Sequence, residues 1–94
     1  MSSRSELSVT ACFAVHAEAD PSVMPRVLEQ FAKRGLVPTR WHSSLAGSRD
    51  EELLIDIQMA GLAPALTARI AELLRGQVRV HQVLTSEKRA AEVA

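Results

Sequence analysis

Three histidines, a single cysteine and one run of adjacent carboxylates are the residues of this 94-residue chain best suited to chemistry. His16, His42 and His81 share one predicted sheet face, and histidines brought together on neighbouring strands can hold a metal or titrate near neutral pH. Around them, however, the sequence has no CxxC, no HxxxH and no clustered carboxylate. Cys12 shares that face with His16, but a reactive thiolate needs exposure and a close cation, and one histidine two pleats away is weak support. Asp50, Glu51 and Glu52 form the densest acidic run. A carboxylate pair can do acid and base work, yet these lie in a turn where water keeps them ordinary and nothing positions a substrate. All these side chains read as solvated sheet and turn residues. No catalytic residue, metal ligand or cofactor is expected.

The elements that must position them follow from hydrophobic period. Leu7 to Ala17 alternates, with Leu7, Val9, Ala11, Phe13 and Val15 on one side and Cys12 and His16 on the other, as in a half-buried strand. Met24, Val27, Leu28 and Phe31 then lie at helical spacing, and Arg34-Gly35 closes the helix. Ser22 is the expected N-cap, because it leaves Pro25 in the first turn, where a missing N–H costs little. Alternation returns from Leu36 to Leu45, and Pro38 restricts that strand to a sheet edge. After the polar turn Gly47-Ser48-Arg49-Asp50, Leu53, Ile55, Ile57 and Met59 make the strongest strand, with Leu54 out of pattern. Pro64 opens a second helix with the stripe Leu66, Ile70, Leu73 and Leu74, ending at Arg75-Gly76. Val78, Val80 and Leu84 mark a last strand.

A faint repeat, Arg26-Val27, Glu29, Phe31 and Arg34-Gly35 against Arg69-Ile70, Glu72, Leu74 and Arg75-Gly76, divides the chain into two strand-helix-strand halves. Two interleaved right-handed halves predict an α+β, ferredoxin-like βαββαβ fold: a four-stranded antiparallel sheet with both helices on one face. The other face is left open. The residues assigned to it, Thr10, Cys12, His16, His42, Asp56, Gln58, Arg79 and His81, are mostly polar, as such a face requires. Residues 1–5 and 86–94 have no clear period and are expected to be a disordered N-terminus and a flexible tail around a domain at 6–85.

Composition narrows the function. Eleven basic and eleven acidic side chains cancel, so no basic field exists to concentrate nucleic acid or an anionic membrane. The only aromatics are Phe13, Phe31 and Trp41, with no tyrosine to stack bases from the central strands. The longest apolar stretch, Met59 to Leu66, is broken by Gly61 and Pro64 and falls far short of the ~20 residues of a spanning helix. With one cysteine and no leader pattern, a cytoplasmic location is expected.

Pro21-Ser22-Val23-Met24, followed by Arg26-Val27-Leu28, Phe31 and Arg34-Gly35-Leu36, resembles the ACT domain, the small regulatory module of amino-acid metabolism. The resemblance spans about residues 7 to 85 in the correct element order. Within that family the chain is most similar to the short small subunits of acetolactate synthase. It implies a non-catalytic regulatory subunit that forms a homodimer and activates or stabilises a larger catalytic subunit. The alternative is a free-standing module that senses an amino acid or other small ligand.

By family position, the effector site falls on Ala19, Asp20, Ser22, Val23, Met24 and Val37. Dimer contacts fall on Val37, Thr39, Trp41 and Ser43. Three ligand positions depart from the family pattern: Ala19 replaces the Asp or Asn that holds an ammonium group, Ser22 replaces a glycine, and Val37 replaces an asparagine. A buried ammonium without partners costs several kcal/mol, so weak effector binding is expected.

Overall fold

The computed structural model describes residues 9–89. Its elements run β1 (Val9–Glu18), α1 (Val23–Ala32), β2 (Arg40–Ala46), β3 (Glu52–Ala60), α2 (Pro64–Arg75) and β4 (Val80–Arg89). The strands form one antiparallel sheet in the order β2-β3-β1-β4, the predicted split βαββαβ arrangement.

Alternation in β1 puts Ala11, Phe13, Val15 and Ala17 inside, opposite Met59, Ile57, Ile55 and Leu53 of β3. The helical stripes Val23, Val27, Phe31 and Ile70, Ala71, Leu74 join the same core, so both helices cover one sheet face. Phe13 and Phe31 meet edge to face, with ring centroids 5.5 Å apart at its centre. Truncating either ring is expected to cost about 3–5 kcal/mol. On the other face Cys12, His16, His42, Asp56 and Gln58 stand where the alternation put them, with Leu54 beside His16.

The two helices end differently. Gly35 has φ +71°, and the Leu36 N–H donates to Phe31 O while the Gly35 N–H donates to Ala32 O, which closes α1 in the left-handed manner that glycine permits. Gly76 keeps φ −81° and needs no such freedom.

Four expectations are corrected. The second strand starts at Arg40, not Leu36: Pro38 has no N–H, and Thr39 opens the pairing by donating from N to Gln58 O while its Oγ1 accepts from Ala60 N. Val78 lies in the turn before β4, exposed, and Arg79 in that same turn has φ +74°, so neither belongs to the strand or its open face. The register then shifts beside His16 and Ala17, which leaves His81 as the extra residue of a bulge. That extra residue reverses the parity: Val83 is buried and Leu84 is exposed on the open face. Finally, β4 continues through Ser86 to Arg89, paired as far as Val9, so the expected tail at 86–94 begins as strand. Residues 1–5, Leu7 and 90–94 lie outside the described residues.

Candidate functional site

The turn from β1 into α1 and the first residues of α1 carry five of the six family-position effector residues, and the turn is tied to two neighbouring turns. Ala19 N–H donates to Glu51 O of the β2–β3 turn, and Glu18 N–H donates to Arg79 O of the α2–β4 turn. Val23 N–H, the first of the helix, donates to Asp20 O.

Ser22 holds the predicted N-cap position, but its side chain does not cap the helix. Its backbone N–H donates to Asp20 Oδ1 at 2.9 Å, and its hydroxyl donates to the same oxygen at 2.6 Å. The second carboxylate oxygen of Asp20 faces the Arg79 guanidinium at 3.3 Å, and Glu18 adds a looser contact to it at 3.9 Å. Asp20 is therefore the anion of this turn. The Ser22 hydroxyl and then the Ser22 N–H hold its carboxyl below the ordinary value against the opposing effect of burial, and Arg79 and Arg26 add lesser pulls in the same downward direction.

The remaining residues are set apart from this cluster. Val23 is buried in the core, Ala19 is exposed and has no polar atom beyond its backbone, and Met24 is 37% exposed on the outer side of α1. Val37 is 83% exposed and precedes Thr39, which is bonded to Gln58 near the far end of β3. Glu18 pairs with Glu52 at the near end of that strand. Six residues of strand separate those ends, about 20 Å. One chain thus does not bring Val37 to the turn.

Of the expected interface residues, Trp41 and Ser43 share the helix side of β2, where Trp41 packs against the core, half-buried. Thr39 is exposed, but its N–H and Oγ1 are committed to β3.

His42 and Asp56 are cross-strand neighbours, and His16 lies opposite Leu54. Among the described residues no group of three His, Cys, Asp or Glu side chains could hold a metal ion, and no helix is long and apolar enough to cross a membrane. In the β2–β3 turn the Arg49 N–H donates to Glu51 Oε1 at 2.9 Å, and this bond, with Glu51's own N–H, lowers the Glu51 pKa. The acidic run thus fixes a turn. Arg79 is the site residue that sequence reasoning placed wrongly: nothing local distinguishes it, and its role arises only when two turns distant in sequence meet.

The profile of a family described as ACT-like domain matches residues 3–92. No curated protein matches. Among solved structures, the chain is similar to the C-terminal domain of the MgtC protein from Mycobacterium tuberculosis, with a TM-score of 0.68 at 17% identity, covering 95% of this chain and 97% of that one. It is also similar to the ACT domain of GTP pyrophosphokinase from Chlorobium tepidum, with a TM-score of 0.61 at 13% identity, over 82% and 96% of the two chains. A third likeness is to the regulatory subunit of aspartate kinase from Thermus flavus, with a TM-score of 0.66 at 11% identity, over 89% of this chain and 52% of that one. At these identities the likenesses speak for the fold. The family match, which takes in the turn, both helices and all four strands, carries the assignment: the chain belongs to the ACT-like domain family.

Proposed function

We propose that this chain is a non-catalytic regulatory subunit of the cytoplasm that pairs with a second copy and activates or stabilises a larger amino-acid biosynthetic enzyme, acetolactate synthase being the candidate. The observation that carries the reading is the occupied β1–α1 turn. In a module that senses amino acids, a helix start and its loop offer unpaired N–H groups to a carboxylate. Here the Asp20 carboxylate takes the N–H and hydroxyl of Ser22 and faces Arg79. A turn that supplies its own anion suits assembly better than sensing.

Pairing uses the β2 edge. Gly61 N–H donates to Val9 O, so odd residues of β1 bond toward β3. Following the registers outward, Arg40, His42 and Ser44 bond back to β3, while Trp41, Ser43 and Leu45 turn their N–H and C=O groups away from the sheet. Under a two-fold axis these groups are complementary to themselves, and Leu45, 55% exposed, gains a neighbour. Antiparallel β2–β2 pairing also carries Val37 of one copy toward the β1–α1 end of the other, which one chain alone does not achieve.

The chemistry belongs to the large subunit. A regulatory subunit contributes no reacting group and acts by binding the competent conformation more tightly than the idle one. The test is to mix the purified chain with the acetolactate synthase large subunit of the same organism and look for one complex on a sizing column. Absence of a complex, together with a micromolar dissociation constant for an amino acid, would favour the free-standing sensor instead.

A further inference from the structure

The sheet has two edges, β2 and β4, and they are not equivalent. Even residues of β1 bond toward β4, so Gln82, Leu84 and Ser86 bond back to β1, while Val83, Thr85 and Glu87 turn their backbone groups outward. The Val83 carbonyl is the inmost of the outward acceptors on the regularly paired part of β4. It is already taken: Arg75, the last residue of α2, donates to it from both Nε, at 3.0 Å, and Nη2, at 2.8 Å. Among the described residues no side-chain hydrogen bond falls on the backbone of Trp41, Ser43 or Leu45 at the other edge.

We propose that Arg75 is an edge guard, which closes β4 to strand addition and leaves β2 as the edge on which a second copy of this chain docks. A guanidinium is suited to this because its planar fork bonds one carbonyl twice and lies across the path of an incoming strand. The bulge at His81 interrupts the same edge before Val83. The consequence is a limit on assembly. Pairing β2 to β2 is isologous and closes at two copies, whereas pairing β2 to β4 is head-to-tail and grows without end. With β4 guarded at Val83, an incoming strand is left only the outward groups of Thr85 and Glu87 on that edge, and the closed mode through β2 is favoured. The β2 dimer belongs to the proposed function; the guard on β4 stands whether or not that dimer forms.

Two measurements test it. In the unmodified protein, the Arg75 Nε–H should exchange with solvent at least about tenfold more slowly than the Nε–H of exposed Arg26. Equal exchange rates would overturn the proposal. Arg75→Met keeps the aliphatic stem and removes both donors, and its sedimentation should develop species larger than those of the unmodified protein as concentration rises. Adding Ser43→Pro, which blocks the β2 edge, should stop that growth at β4–β4 pairs. If Arg75→Met sediments as the unmodified protein does throughout, Arg75 guards nothing. An unmodified protein that is monomeric, beside an Arg75→Met variant that associates, would contradict the β2 dimer and still support the guard.

Discussion

Asp20 joins stability to pH with a definite sign. Its carboxyl is held below the ordinary value by Ser22 and Arg79, so its contribution is present above the unfolded carboxylate pKa and is lost as pH falls through the lower folded one. Urea unfolding should show Asp20→Asn less stable than the native chain near neutral pH, with the gap closing in acid. A gap that is constant with pH would mean that the charge is irrelevant. Glu51 shifts in the same direction through the Arg49 N–H, so Glu51→Gln should behave likewise and the double variant serves as the control. If the proposed function holds, Asp20 also bears on ligand binding. With the Ser22 N–H taken and no side-chain partner for an ammonium group at Ala19 or Val37, calorimetry with valine, leucine and isoleucine should find nothing tighter than millimolar, about −4 kcal/mol. A micromolar constant would refute the self-occupied turn.

At the scale of elements, the closest test is the pair of helix-ending glycines. Gly35 has φ +71° and no atom within 4 Å of an added Cβ, so Gly35→Ala should cost about 1–2 kcal/mol from backbone strain alone. Gly76→Ala, at an ordinary φ, should change stability little, and denaturant midpoints compare the two. Ser43→Pro should leave the fold intact, because the Ser43 N–H points away from β3, and should abolish pairing through β2. A variant that keeps the native oligomer would place the interface elsewhere. Most elements were legible because period 2 in β1 and β3 and period 3.6 in the helices each bury one face of a single core. The misplacements have physical causes. One inserted residue at His81 exchanged Val83 for Leu84 inside the sheet. Ser86 to Arg89 had no period to read, because every one of those side chains is exposed. Ser22 was located as the cap position, but the competing acceptor, Asp20, and its partner Arg79 depend on tertiary contact that no local pattern encodes.

The described residues put a core on one sheet face and leave a mostly polar face on the other, and the chain's net charge of zero offers a partner no long-range steering. Contact with a large subunit should therefore depend on apolar and open-face residues and respond weakly to salt. An activating subunit works by differential binding, so its effect is bounded by the difference in affinity for two states of the enzyme and must saturate. The direct measurement is a titration of this chain into the acetolactate synthase large subunit of the same organism, following acetolactate formation from pyruvate. The rate should rise and level off as the complex fills. An unchanged rate, with no complex on a sizing column at micromolar concentrations of both proteins, would contradict the account.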